Sequence, residues 1–210
     1  MIVKRVAVYG VIETNAYFYI DETTKHGFLL DPGAEAGKLL QIITDNHWII
    51  EKILLTHGHF DHIGAAESIS RKLNIPILAH RNGRDYLSSP KFNLSAVFGN
   101  EIILNSAQYF ADDTEITLEA NPQVKLRVLP TPGHTQDGVV YYDAAAGLAF
   151  VGDTIFRRSI GRTDIPGGDL AQLLKSIEQQ IFTLPDDTIL YSGHTPPTTV
   201  SEEKKHNLRF

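Results

Sequence analysis

The segment Thr56-His57-Gly58-His59-Phe60-Asp61-His62 carries four side chains that can bind a metal ion within six consecutive residues. It directly follows residues 49–55, an almost continuously apolar stretch that predicts a strand covered on both faces. Neutral imidazole and carboxylate groups suit zinc, iron or manganese. Gly58 is expected to let the backbone turn sharply between the first two histidines. The segment therefore predicts a metal centre, because a purely structural role is rare for such a cluster.

Three further residues repeat one local pattern. His134, Asp153 and His194 each stand directly after a glycine and shortly after an apolar stretch that predicts a strand. Because strand ends at one edge of a sheet bring their side chains together, we expect these residues to join the first cluster. The combined set offers seven ligands, which is enough for two divalent metal ions if one carboxylate bridges them.

The combined pattern, from Asp31 through His194, resembles that of the metallo-β-lactamase-fold superfamily. The resemblance implies an α/β fold of four layers, an αββα sandwich with the site at one edge of its two sheets. Aspartate at 153, where zinc β-lactamases have cysteine, points away from those enzymes. The segments 152–156, 160–162 and 193–199 look most like glyoxalase II (hydroxyacylglutathione hydrolase) and its short bacterial relatives, which hydrolyse thioesters such as S-lactoylglutathione.

The resemblance also implies a ligand set and a mechanism. The first metal is held by His57, His59 and His134, the second by Asp61, His62 and His194, and Asp153 bridges them. Zinc is the metal most readily implied, with iron or manganese as alternatives. A hydroxide between the metals attacks the carbonyl, and Asp61 orients that hydroxide as well as binding metal. Arg162 stands where the family has a basic residue near the thiol part of the substrate, although it could equally brace its own loop.

The chain also departs from full-length glyoxalase II. Only residues 195–210 follow His194, so we expect one metallo-β-lactamase-fold domain over residues 1–210 without the C-terminal helical domain of that family. The tyrosine that the family has two residues after the final ligand histidine, His194 here, is replaced by Pro196, and the aromatic residue near Arg162 is replaced by Asp164. These differences leave the predicted metal centre intact and remove support for glutathione recognition.

The composition of the chain argues against several other classes of protein. The chain has 210 residues, a formal net charge of −6 and no cysteine, which rules out disulfides, thiolate metal sites and a cysteine nucleophile. Interspersed charges argue against a nucleic-acid-binding face, and no apolar run is long enough to span a membrane. We therefore expect a cytoplasmic enzyme that acts on a small-molecule thioester or ester. The oligomeric state is not indicated.

Hydrophobic periodicity predicts alternating strands and helices. Strands are predicted at 3–8, 16–20, 28–30, 49–55, 76–79, 115–118, 124–129, 138–142, 148–151 and 188–191. Helices are predicted at 35–46, at 61–73, and from a cap at Asp169 to Ile181. Residues 81–113 carry no clear pattern, and Asn15 and Asp31 are interpreted as residues that hold loops.

Other activities use the same residues. A lactone or other ester hydrolase is a near neighbour of the thioesterase hypothesis. A mononuclear iron dioxygenase acting on persulfides, with iron held by His57, His134 and Asp153, is the alternative from a different class. A nuclease is disfavoured by the short acidic chain, and a non-catalytic binding module by the complete set of ligand residues.

Overall fold

The first half of the protein forms a six-stranded sheet with helices on one face. The computed structural model describes residues 1–210. The elements of the first half are β1 (Ile2–Tyr9), β2 (Glu13–Ile20), β3 (His26–Leu30), α1 (Ala36–Asp45), β4 (Ile49–Leu54), α2 (Phe60–Ile63), α3 (Ala66–Leu73), β5 (Ile77–His80), α4 (Arg84–Ser88) and β6 (Ala107–Phe110). The strands lie in chain order, antiparallel from β1 to β3 and parallel from β3 to β6.

The second half forms another six-stranded sheet. Its elements are β7 (Glu115–Thr117), β8 (Lys125–Pro130), β9 (Val139–Asp143), β10 (Leu148–Gly152), β11 (Ile155–Phe156), β12 (Ser159–Ile160), α5 (Leu170–Ser176), β13 (Ile189–Ser192), β14 (Thr198–Thr199) and α6 (Val200–His206). The strand order is β14-β13-β10-β9-β8-β7, with only β10 and β13 parallel, while β11 and β12 form a separate small hairpin.

Alternating side chains along β2 show how the layers pack. Phe18 and Ile20 are buried in the core between the first sheet and its helices. Tyr17 and Tyr19 point to the other face, where each ring centroid lies 5.4 Å from that of Phe150 in the second sheet. Full burial of one such aromatic side chain stabilises the fold by about 1.5–3 kcal/mol.

A third core lies on the outer face of the second sheet. Val140 and Tyr142 of β9 belong to it together with Leu173 of α5, whereas their neighbours Val139 and Tyr141 face the first sheet. Three apolar layers therefore separate four layers of secondary structure. The predicted αββα sandwich is confirmed.

Every predicted strand is present, but the predicted helix 61–73 is interrupted. The break falls between α2 and α3, where Gly64 packs against the backbone of Gly33 and leaves no space for a Cβ atom. The amide of Ala65 donates to the carbonyl oxygen of Pro32 at 2.9 Å. The turn after β3 therefore fixes α2 as a separate helical turn.

Residues 81–113, which carry no clear pattern, are organised around one buried amide. Nδ2 of Asn93 donates to the carbonyl oxygens of Tyr86 and Ile102, at 3.1 and 2.8 Å, and its Oδ1 accepts from the amide of Ser95 at 3.0 Å. The segment also contains α4 and β6, which extends the first sheet beside β5. None of the helices is both long and apolar enough to cross a membrane.

The helix predicted from Asp169 is also present, with a change of helical type. The Asp169 carboxylate accepts from the amide of Gln172 and caps α5, as expected for a helix N-terminus. After Ser176 the chain continues as a π-helical turn over Ile177–Ile181. The short elements β11, β12, β14 and α6 have no counterpart in the sequence-based assignment.

Candidate metal centre

All seven predicted ligand residues meet where four strands end. His57 follows β4, His134 follows β8, Asp153 follows β10 and His194 follows β13. A hydrogen bond from the amide of Val139 to the carbonyl oxygen of Thr56, at 2.9 Å, joins the two sheets at this edge. The ligand atoms form three overlapping groups whose members lie within 4.8 Å of one another. These groups are His57, His59 and His134; His57, His62 and Asp153; and Asp61, His62 and His194.

The first group consists of three buried imidazoles. Nδ1 of His59 lies 3.1 Å from Nε2 of His57 and 3.0 Å from Nε2 of His134. Donor atoms around a tetrahedral zinc ion with bonds of 2.0–2.1 Å are about 3.3 Å apart, so this spacing suits one ion. Burial lowers the pKa of His57 and His134, and it lowers the pKa of His59 to about 3. The three rings are therefore neutral, which is the form that binds metal.

The group of Asp61, His62 and His194 combines two imidazoles with a carboxylate. Oδ2 of Asp61 lies 3.3 Å from Nε2 of His194 and 3.6 Å from Nε2 of His62. Burial opposes protonation of His62, but Asp61 and Asp153 outweigh it and raise the pKa of that ring well above 6.5. The same balance raises the pKa of His194 to about 10. The carboxylates therefore stabilise positive charge at this position. A divalent cation would supply that charge and displace the protons from His62 and His194.

Asp153 lies between the group of three histidines and the group of Asp61, His62 and His194. Its Oδ2 lies 3.6 Å from Nε2 of His134 and 3.1 Å from Nε2 of His194, and its Oδ1 lies 3.4 Å from Nε2 of His62. Although Oδ1 of Asp153 and Nε2 of His62 are buried, neither has a hydrogen-bond partner. Unpaired buried polar atoms are uncommon in folded proteins. Their convergence, and the all-nitrogen-and-oxygen donor set, fit a site for divalent metal ions.

The outer ring nitrogens are held by acceptors that leave the inner nitrogens free. Nδ1 of His134 donates to the carbonyl oxygen of Arg162 at 2.7 Å, and Nδ1 of His194 donates to that of Glu13 at 2.8 Å. A carbonyl oxygen can only accept, so in the neutral ring the proton is on Nδ1 and the lone pair on Nε2. These contacts orient both rings with Nε2 toward the other predicted ligands.

Two residues near the ligands have roles that we did not predict from the sequence. Oγ1 of Thr14 donates to Oδ2 of Asp61 at 3.0 Å, so a strand far away in the chain positions this carboxylate. Asp31, interpreted only as a loop-holding residue, accepts from Oγ1 of Thr56 at 2.6 Å and lies 3.0 Å from Nδ1 of His62. The position of Asp31 after a strand was visible in the sequence, whereas Thr14 has no local signal.

Gly58 is required for a different reason from the one expected. Its φ angle is not among the positive values in the chain, so no left-handed turn is needed there. A Cβ atom at this position would lie 2.6 Å from Cβ of Tyr86. Close packing of α4 against the loop that carries the ligands therefore excludes a larger residue.

A cleft of about 370 Å³ opens beside the metal-binding residues. Seven of its fourteen lining residues are apolar: Ile12, Phe60, Leu94, Phe98, Phe156, Ile160 and Ile165. Arg162 also lines the cleft. Its guanidinium forms two hydrogen bonds of 2.8 Å to Asp164, which lower the pKa of that carboxyl to about 2.

Comparison with known proteins identifies close relatives. The chain is 38% identical to a protein of Bacillus subtilis named as a probable metallo-hydrolase, over 94% of this chain and 92% of the relative. It is 32% identical to the hydroxyacylglutathione hydrolase GloC of Haemophilus influenzae, over 87% of this chain and 86% of that protein.

Solved structures agree with this similarity. The crystal structure of the B3 metallo-beta-lactamase BLEG-1 is 36% identical with a TM-score of 0.92, covering 99% of this chain and 98% of that one. A di-iron-bound form of TTHA1623 is 31% identical with a TM-score of 0.87, covering 99% and 100%. ETHE1 from Myxococcus xanthus is 28% identical with a TM-score of 0.79, covering 99% and 84%.

The sequence profile of the metallo-beta-lactamase superfamily matches residues 9–194, a range that includes all seven predicted ligand residues. The match covers most of the chain, and relatives of comparable length in Bacillus subtilis and Streptococcus pyogenes are named as probable metallo-hydrolases. The four-layer fold and the His/Asp cluster agree with both findings. The protein therefore belongs to the metallo-beta-lactamase superfamily and is a metallo-hydrolase of that family.

Proposed function

We propose that the protein hydrolyses small thioesters, or closely related esters, with two divalent metal ions. His57, His59 and His134 hold one ion, Asp61, His62 and His194 hold the other, and Asp153 joins them. The observation that carries this proposal is the position of Asp153, whose Oδ2 lies between Nε2 of His134 and Nε2 of His194. When bound, such a metal pair polarises a carbonyl group and lowers the pKa of water to about 7.

Residues of the chain orient the groups that take part in the reaction. Oδ2 of Asp61 is held by the hydroxyl of Thr14, so the carboxylate has a fixed direction and its Oδ1 can accept a hydrogen bond from an attacking water. The apolar walls of the cleft limit the access of other water to the reacting carbonyl. A thiolate is a good leaving group, so hydrolysis of a thioester needs no separate acid.

Similarity to a named hydroxyacylglutathione hydrolase supports the thioester class, since 32% identity extends over 87% of this chain. Similarity to a B3 metallo-beta-lactamase adds β-lactams as a class that the test must include. Zinc is the metal we propose, with iron and manganese to be compared because a similar protein crystallised with two irons.

The test combines metal analysis with a substrate panel. Protein reconstituted separately with zinc, iron and manganese is analysed for metal content and assayed with thioesters, lactones and a β-lactam. We expect two ions per chain and the highest kcat/KM with a thioester. Activity confined to β-lactams or lactones, or full activity with one ion per chain, would contradict the proposal.

An iron dioxygenase acting on persulfides is the second candidate. Nε2 of His134 lies 3.6 Å from Oδ2 of Asp153, and the ring of His57 lies 4.9 Å from that of His134, so two histidines and one carboxylate can face a single iron. Similarity to ETHE1 fits this candidate. One iron per chain together with oxygen consumption would favour it over the hydrolase.

A further inference from the structure

The cleft beside the metal-binding residues is lined by aromatic and aliphatic groups. Phe60 and Phe98 pack against each other on one wall, with ring centroids 4.8 Å apart. Phe156 lies on another part of the lining, with its ring 5.8 Å from that of His194. Phe98 is 44% exposed and Ile12 is 40% exposed, so both present apolar surface that a ligand in the cleft could cover.

Charge in the same cleft is confined to two places. Asp61 and Asp153 belong to the metal-binding group, and apart from histidines Arg162 is the only cationic residue in the lining. Nε and Nη2 of that guanidinium donate to the two carboxylate oxygens of Asp164, so one edge of the group is occupied and the pair carries no net charge. Outside the metal-binding group, the cleft therefore offers a substrate carboxylate no cation that is not already paired with a carboxylate.

In the part of the cleft away from the metal-binding residues, a charged ligand group would lose water without gaining a partner that is free of its own counter-ion. Glutathione carries two carboxylates, whereas an alkyl or aryl group would gain from covering Phe98 and Ile12. We infer that the substrates are thioesters or esters whose non-reacting part is uncharged and apolar, and that Asp164 helps to set this preference by neutralising Arg162. This inference rests on the proposed hydrolase function for its reaction and on the cleft for its substrate class.

The experiment uses zinc-loaded protein and substrates that differ in one property at a time. Acetyl, butyryl, hexanoyl and succinyl thioesters of N-acetylcysteamine vary the acyl group, and the lactoyl thioesters of N-acetylcysteamine and glutathione vary the thiol. We expect kcat/KM to rise about fourfold per methylene until the cleft is filled. The succinyl and glutathione compounds should be at least tenfold poorer than their neutral counterparts.

Binding is measured in parallel with thioethers, which cannot be hydrolysed. Calorimetry compares S-methyl- with S-hexyl-N-acetylcysteamine, and the latter with S-hexylglutathione. We expect the hexyl compound with the neutral thiol to bind most tightly. If it does so while no ester or thioester is hydrolysed, the hydrolase proposal fails and the inferred ligand class stands. If the glutathione compounds are hydrolysed and bound best, the hydrolase stands and the inference is overturned.

Variants connect the preference to the cleft. Phe98→Asp should abolish the gain with chain length, and Phe98→Leu should retain most of it. Val97→Asp is the matched control, because this neighbouring side chain is 74% exposed and does not line the cleft. Asp164→Ala should raise kcat/KM for the succinyl thioester relative to the butyryl thioester by about threefold to tenfold. Unchanged chain-length dependence in Phe98→Asp, or an unchanged ratio in Asp164→Ala, would contradict the assigned roles.

Discussion

Oδ2 of Asp31 lies 3.0 Å from Nδ1 of His62, on the side of the ring opposite to the metal-binding cluster. A carboxylate accepts, so Nδ1 donates and the neutral ring keeps the lone pair of Nε2 for a metal. The other oxygen of Asp31 accepts from the amide of Thr56 at 2.8 Å. One side chain thus orients a predicted ligand and also fixes the start of the loop that carries His57 and His59.

Asp31→Asn should weaken the binding of one of the two metal ions. Asparagine keeps the volume and tolerates the left-handed backbone at this residue, where φ is 47°, but it loses the charge that supports His62. We expect a loss of about tenfold to a hundredfold in affinity for one ion. Titration against a chelator of known affinity measures the effect. Asp21→Asn is the control, since the Asp21 carboxylate accepts from Thr23, Thr24 and Asn121, none of which is a predicted ligand. Equal affinities in wild type and Asp31→Asn would contradict the role of Asp31.

Asp153→Ala should remove most of the hydrolytic activity and at least part of the bound metal. The substitution takes away the oxygens that approach His134, His194 and His62. Asp186→Ala is the control, because that carboxylate pairs with Lys204 at an exposed position. Metal content per chain and kcat/KM are measured for both variants. Full activity in Asp153→Ala would show that this residue does not join two ions.

Two glycines close together in the sequence should respond in opposite ways to alanine. A Cβ atom at Gly33 would overlap the carbonyl oxygen of Asp61, whereas a Cβ atom at Gly37 in α1 meets nothing within 4 Å. Gly37→Ala should therefore stabilise the protein by about 0.5–1 kcal/mol. Gly33→Ala should destabilise it and displace α2, with loss of metal. Thermal unfolding and metal content distinguish the two, and equal behaviour would contradict the packing around Asp61.

The stability contribution of Asp21 should depend on pH. Hydrogen bonds from Asn121, from Thr24 and from the amide of Thr23 lower the pKa of this carboxyl, the contact with Asn121 being the largest cause. Its folded-state pKa lies below the unfolded value, so its contribution is present above the unfolded pKa of about 3.9 and is lost as pH falls through the folded pKa.

Asp21→Asn tests this sign. We expect the variant to be less stable than wild type by on the order of 1 kcal/mol at neutral pH. The difference should shrink as the pH falls below about 4. Urea unfolding at several pH values provides the measurement. A difference that stayed constant down to pH 2 would show that the charge of Asp21 is not responsible.

The sequence was sufficient to predict the seven clustered residues, because each lies in a strong local pattern of histidine, aspartate and glycine. It was also sufficient for ten of the fourteen strands, since buried strands need apolar side chains, but β6, β11, β12 and β14 were not predicted. The break after Ile63 was missed because it depends on contact with Gly33, which is thirty residues away in the chain. The organisation of 81–113 was missed because the single amide of Asn93 holds it, and one residue makes no periodic pattern.

Contacts made by main-chain atoms could not be predicted from the sequence either. The acceptors for His134 and His194 are the carbonyl oxygens of Arg162 and Glu13. Every residue has such an oxygen, so no choice of side chain reveals it. The guanidinium of Arg162 was visible as a candidate, but its pairing with Asp164 depends on the conformation of the loop.

These two carbonyl contacts have a consequence for how the enzyme can change over generations. A point mutation at 13 or 162 alters the side chain and leaves the backbone oxygen that orients the histidine. Arg162 lines the cleft, so its side chain can be replaced to suit a new substrate while its carbonyl still holds His134. Substitutions at this position can thus change which substrates the cleft accepts while the orientation of His134 is kept.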